Sequence, residues 1–353
     1  MSFSTSARSL PQRFDLVRSS FMQHDGLAFS QVLSEQQIQA AFDAEHCAFA
    51  QEDDDVYTPS VTLWAFLSQA LFKQEQRSCL AAVARVVVLM LALGKPISTN
   101  TGAYCRARAK LPVKVLERLT LEVADGAERA IAADWLWHGR HVHLVDGTTV
   151  SMPDTEANRK QWPQHGAQKK GLGFPLARMV VLLSLATAML SGLAWGRYMG
   201  KETGETALWR ELFARLHPGD VRWADRYYCS YFMIALLIAL GVDVVLRLHQ
   251  QRTADFRRGR RLGKADHLVR WVRPARPDWM DPETYARMPE AIELRELEVQ
   301  VQQPGFRTDS LVVVSTLVDV AAYPKDDLAE LYHQRWLAEL DIRTIKAKNG
   351  VKS

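Results

Sequence analysis

The sequence predicts an α/β protein with a helical N-terminal region and a β-rich insertion. Three observations predict it. Before residue 140 the apolar residues recur at helical spacing; from His141 short β-prone runs alternate with helical ones; and between 249 and 310 that rhythm gives way to arginines, prolines and short β-prone pieces. The boundaries that follow are 1–140 (helical), 141–248 (first part of the core), 249–310 (basic, β-rich insertion) and 311–353 (a core strand and a last helix). A chain of 353 residues, 48% hydrophobic, is long enough for two or three folded units.

In the first region, Leu63–Phe72, Ala81–Leu93 and Val113–Ala133 read as helices, punctuated by Pro59, Gly94, Pro96 and Pro112. The acidic run Glu52–Asp55 reads as a solvated loop, because adjacent side chains rarely converge on one ion. From His141 the run His-Val-His-Leu-Val-Asp146 is a strand ending in Asp-Gly, a turn signal, and Thr148–Met152 is expected to pair back on it. Ala177–Leu190 reads as one buried strand or two with a bend, Gly204–Leu216 as helix and Val221–Asp225 as a strand. Ser230–Leu240 follows as helix and Val242–Leu248 as strand. Ser310–Val318 returns as a core strand, and a helix runs from about Lys325 to Lys348.

Charge and cysteine usage narrow the classes. A net charge of +4 and a pI near 8.8 permit a nucleic-acid partner without demanding one. Cys47, Cys79, Cys105 and Cys229 form no C-x-x-C pair and read as buried small residues of a reduced, cytoplasmic protein rather than a zinc site. No secretory signal opens the chain. The apolar stretches 81–93, 180–198 and 231–248 are too short or too broken to be membrane spans, so no membrane partner is expected.

The chemistry is expected on acidic side chains. Asp146 and Asp225 each end a strand, where open α/β sheets bind ligands, and hard divalent metals take carboxylate oxygen. Alone, each is also explained as a turn residue. The last helix is more specific: Tyr332, Arg335, Glu339 and Lys346, at offsets of 3, 7 and 14, fall within an arc of about 60°. Leu328 lies on this stripe, and Leu331, Ala338, Ile342, Trp336 and Leu340 flank it. An ordinary surface ion pair explains Arg335 with Glu339. It does not explain the matching positions of Tyr332 and Lys346.

The run Tyr332-His-Gln-Arg335-Trp-Leu-Ala-Glu339-Leu-Asp-Ile-Arg-Thr-Ile-Lys346 carries the Y-R-E-K signature of bacterial insertion-sequence DDE transposases of the insertion-sequence-four type. The chain resembles that family also in Leu144-Val-Asp-Gly-Thr-Thr149 and Trp223-Ala-Asp-Arg-Tyr-Tyr-Cys-Ser-Tyr231. Weaker similarities lie in Gly171–Arg178, Gly204–Thr206 and Thr101–Arg108. The resemblance implies a ribonuclease-H-like core, with the two aspartates on neighbouring strands and the glutamate on a helix beside them. It implies hydrolysis and transesterification of DNA phosphodiesters, with two Mg2+ ions (Mn2+ substituting) held by Asp146, Asp225 and Glu339. Arg335, Lys346 and Tyr332 would contact phosphates, and Trp336 would stack on a base unless it packs in the core. Apart from the resemblance, the arginine cluster at 252–276, with Arg257, Arg258, Arg260 and Arg261, reads either as a track for the DNA backbone or as a solvated basic face, and Lys169 and Lys170 in their loop would add to such a track. The partners expected are double-stranded DNA, the terminal inverted repeats, and a second copy of the chain when assembled on DNA.

Other classes fit less well. A haloacid-dehalogenase phosphatase needs an Asp where Leu144 stands, and Lys201–Thr206 lacks phosphate-loop spacing. A nuclease with the same core is an alternative. So is a transposition-inactive remnant that keeps DNA binding, because the chain stops seven residues after Lys346, where relatives continue with further helices.

Overall fold

The computed structural model describes residues 33–50, 52, 55–72, 74–92, 94–164, 173–300 and 310–334. They fall into two compact units, one ending at Ala127 and the other beginning at Glu128.

The described residues of the first unit are helical. Helix α1 (Glu35–Ala44) starts at a capping box, in which Ser34 Oγ accepts from the Gln37 amide and Gln37 Oε1 accepts from the Ser34 amide at 2.8 Å. Helix α2 (Pro59–Leu71) has Thr58 as cap and proline in its first turn, where the missing N–H costs nothing. Helices α3 (Cys79–Ala92), α4 (Gly102–Arg108) and α5 (Val113–Arg129) follow. Ile38, Phe42, Leu63, Trp64, Val115 and Leu119 form one apolar cluster; Ala82, Val83, Val86 and Tyr104 belong to a second. The helices expected from spacing at 63–72, 81–93 and 113–133 correspond to α2, α3 and α5, whereas the sequence spacing did not single out α1 or α4.

The second unit is built on a nine-stranded mixed sheet. Its strands are β1 (Val142–Ser151), β2 (Leu176–Ser184), β3 (Leu190–Arg197), β4 (Val221–Ala224), β5 (Asp243–Arg247), β6 (Arg260–Gly263), β7 (Asp266–Val272), β8 (Ala291–Gln300) and β9 (Ser310–Ser315). Their spatial order is β3-β2-β1-β4-β5-β9-β8-β7-β6. Strands β1, β4 and β5 are parallel neighbours, and every other neighbouring pair is antiparallel. The short helix α6 (Glu156–Gln161) follows β1, and α7 (Glu205–Glu211) lies between β3 and β4. Helix α8 (Tyr231–Ala239), capped by Ser230, makes the crossover from β4 to β5 that parallel pairing requires. It is apolar throughout, and Phe232, Met233, Ile234 and Leu237 are buried. Helix α9 (Pro282–Arg287) separates β7 from β8, and residues 325–334 are helical.

One face of the sheet carries a single core. Val145, Val180, Leu182, Ala194, Ala224, Val244, Leu246, Val314, Leu294, Ile292 and Trp271 face it from the strands, and Leu208, Trp209 and the residues of α8 close it. The alternate residues Leu144, Trp223, Val245, Val313 and Leu297 are buried as well, as strands packed on both faces require.

Two expectations change, for Asp146-Gly147 and for the cysteines, and two become more definite. Asp146-Gly147 is not a turn: β1 runs straight through it to Ser151, and Thr148–Ser151 pair with β2 rather than folding back. The apolar stretch 177–190 is β2 with the turn that leads into β3. The strands of 249–310 form no separate sheet; β9 inserts between β5 and β8, so β8, β7 and β6 continue the core sheet. Of the four cysteines, all free thiols, only Cys229 is buried; Cys47, Cys79 and Cys105 are partly exposed. Among the described residues no helix is long and apolar enough to cross a membrane.

Candidate active site

Parallel pairing of β1 with β4 places Val145 beside Ala224. The next residues on the two strands are Asp146 and Asp225. Asp146 lies within β1, opposite Val181 of β2. Asp225 follows β4 with extended backbone (φ −75°, ψ 171°) and leads into a short 3-10 turn, Arg226–Tyr228. Side chains alternate along extended chain. Val145 and Ala224 point into the core under α7 and α8, so both aspartates lie on the opposite face, side by side where the parallel pairing of β1 with β4 ends; Asp225 follows the last residue of β4, whereas β1 continues past Asp146 to Ser151. Spacing in the sequence could not show this, since 78 residues separate the two (225 minus 146, less one).

Both aspartates are half-buried. Asp225 Oδ1 is shielded from solvent and, among the described residues, has no hydrogen-bond partner. A buried carboxylate oxygen without a donor is costly. Two hard oxygen-bearing groups on adjoining strands, one with an unsatisfied oxygen, suit a divalent cation. Among the described residues, no group of three His, Cys, Asp or Glu side chains could hold a metal ion. The third acidic residue expected, Glu339, lies outside the described residues, as do Arg335, Trp336, Lys346, Lys169 and Lys170.

Beneath the pair, on the core side, lies a carboxylate to which the sequence reading gave no role. Glu205, the first residue of α7, sits over Gly147, where an added β-carbon would lie 2.2 Å from its carboxyl carbon. Glu205 Oε2 accepts a hydrogen bond from the Tyr228 hydroxyl at 3.2 Å. Tyr228 is buried, and burial, reinforced by the Glu205 and Asp146 charges, pushes its phenol far above the ordinary value, so it stays a donor. The signals in the sequence were the weak family similarity at Gly204–Thr206 and a glycine directly after a strand carboxylate, which otherwise reads as a turn.

Residues 137–352 match the family described as a transposase DDE domain. The chain belongs to that family. It is also similar to the transposase InsG for insertion sequence element IS4 of Escherichia coli (strain K12), at 23% identity over 288 residues, 80% of this chain. The chain spans 60% of that relative's length. Within the DDE domain, Tyr332 is fully buried on the last described helix, with Leu328 and Leu331. The contact with a phosphate that the resemblance implies for Tyr332 is an expectation, and in this structure its side chain is buried. Arg257, Arg258, Arg260 and Arg261 are exposed around β6, at the sheet edge. Arg257 and Arg258 both reach Asp255, at 2.8 and 3.4 Å, and Arg261 Nε donates to the Gly263 carbonyl at 3.2 Å. Charged side chains on an edge strand also deter pairing with another sheet.

Proposed function

We propose that the chain is a metal-dependent DNA transposase of the insertion-sequence-four type, with a ribonuclease-H-like core. The observation that carries this is the placement of Asp146 and Asp225 side by side where the parallel pairing of β1 with β4 ends, inside the transposase DDE domain. Neighbouring strands are where the resemblance expects the two aspartates. The protein named InsG is a transposase for an insertion sequence element, and the same class of substrate is proposed here.

Asp146, Asp225 and Glu339 would hold two divalent ions, Mg2+ or Mn2+. Such ions, when bound, supply activation of the attacking oxygen and stabilisation of the leaving one. The carboxylates fix where the scissile phosphate lies, because one face of the sheet carries both aspartates and the reverse face is filled by core. Arg335 and Lys346 neutralise phosphate charge, the first with two parallel hydrogen bonds and the second as a point charge. The arginines near β6 hold duplex at a distance from the cut. The N-terminal helices, residues 1–140 in the sequence reading, recognise the element's ends, and two copies assemble on paired ends.

The test is a supercoiled plasmid carrying the element's terminal inverted repeats, incubated with Mg2+ or Mn2+. Asp146→Asn, Asp225→Asn and Glu339→Gln are each expected to reduce cleavage by more than the roughly 100-fold that loss of an outer-shell partner costs. Cleavage persisting in Glu339→Gln rejects the triad. Nicking that ignores the repeats assigns the chain to structure-specific nucleases instead.

A further inference from the structure

Glu205 links the two neighbouring segments that carry the aspartates, β1 at Gly147 and the turn after β4. Its carboxylate lies against Gly147, the residue after Asp146. Its Oε2 accepts from the hydroxyl of Tyr228, whose own amide donates to the Asp225 carbonyl at 3.1 Å. The chain of contacts therefore runs from the backbone beside Asp146, through one carboxylate and one phenol, to the backbone of Asp225. The Tyr228 ring is held edge-on against Trp209 of the same helix α7, with centroids 5.1 Å apart and an interplanar angle of 84°. Trp209 is itself fully buried. The link is thus rigid at its tyrosine end.

Gly147 is what lets the link form. Its backbone is ordinary β-strand, and it is absent from the residues with positive φ, so conformational freedom does not explain it. Close approach does: a β-carbon at 2.2 Å from the Glu205 carboxyl carbon would displace that carboxylate. Glu205 lies on the core side of the sheet and the aspartates on the other. It is therefore placed to set their spacing, not to join them as a ligand.

We propose that Glu205 is a positioning residue for the metal-holding pair Asp146 and Asp225, acting through Gly147 and Tyr228. This rests on the proposed metal site. Groups that orient ligands from behind commonly change metal affinity by 10- to 100-fold when removed. In this proposal the working element is the hydrogen bond between Tyr228 and Glu205 rather than the negative charge of Glu205.

The experiment uses the full chain and Mn2+ alone, with binding followed by electron paramagnetic resonance and folding by thermal melting. Glu205→Ala and Tyr228→Phe should each weaken Mn2+ binding about 10-fold, while melting stays cooperative. Glu205→Gln, which keeps an acceptor for Tyr228, should stay within about twofold of the parent; a purely electrostatic role would make it as weak as Glu205→Ala. Gly147→Ala should behave like Glu205→Ala. Parent-like affinity in Tyr228→Phe, or equal losses in Glu205→Gln and Glu205→Ala, overturns the proposal. Should Glu205→Ala fail to fold, Tyr228→Phe, which deletes a single oxygen, decides it. Asp146→Asn and Asp225→Asn separate the two levels. If they bind Mn2+ like the parent, the metal site itself is rejected; if they lose it while Tyr228→Phe does not, only the role of Glu205 falls.

Discussion

His143 is buried on β1, three residues before Asp146, and its Nδ1 accepts from the equally buried Arg222 of β4. Arg222 is held in turn by Asp220 at 2.8 Å, and Glu128 stands 3.9 Å from His143 Nε2. Burial, then the positive charge of Arg222, with His141, His217 and Arg215 adding to it, holds the His143 imidazole well below its ordinary value. The sign of the linkage follows. The unfolded chain takes up a proton near the usual value of about 6.5, while the folded chain resists it. Stability is therefore lost as pH falls below about 6.5, at up to about 1.4 kcal/mol per pH unit from this group, and the loss levels off once pH passes the folded value. His143→Asn keeps an acceptor near Nδ1 but cannot titrate. Urea unfolding of both proteins between pH 8 and 5 should show the parent losing stability more steeply below 6.5; parallel curves would refute the account. At this scale the sequence was only half legible. An aspartate on a strand could be found from the residues around it, but the partner that contacts its neighbouring glycine came from another element, and Gly147 carried two readings with the same letters.

Elements set by local periodicity were legible, and elements set by pairing were not. Helices α2, α3 and α5 follow from 3.6-residue spacing and from Pro59 and Pro112. The place of β9 does not, because an apolar run pairs on both edges wherever partners exist, and here they are β5 and β8. The ion pair that ties β7 to β8 was equally invisible. Arg295, fully buried, donates from Nε and Nη2 to the two oxygens of Asp266, at 2.9 and 2.6 Å, and from Nη1 to the Tyr323 carbonyl at 2.6 Å. That last contact anchors the segment leading into the 325–334 helix. Removing one partner leaves an uncompensated buried charge, so Asp266→Ala should cost about 3 kcal/mol or more in urea unfolding. Replacing both residues by leucine should cost much less, because no charge is then stranded. A loss below about 1 kcal/mol in Asp266→Ala would show that the pair does not hold these strands.

For the whole molecule, the net charge of +4 says less than where the charge is free to act. Around β6 the sequence shows a dense arginine cluster, but the structure divides it. Arg257 and Arg258 are 90% and 85% exposed yet share Asp255. The side-chain and backbone hydrogen bonds from Arg257 hold the Asp255 carboxyl down to about 2, so it stays ionised at any working pH and the trio carries one net positive charge. Arg252 spends its guanidinium over the Trp271 ring, 3.7 Å from the centroid. If this surface lies on duplex DNA, the charge that releases counterions is smaller than a count of arginines suggests. Asp255→Asn should free one more charge, tighten binding to nonspecific duplex at low salt, and steepen the slope of log affinity against log salt by up to about 0.9. Arg260→Ala should make the slope shallower by a similar amount. Fluorescence anisotropy across a salt series measures both. Slopes that stay the same in both variants would place the DNA elsewhere on the protein and leave the arginines of β6 as guards of a sheet edge.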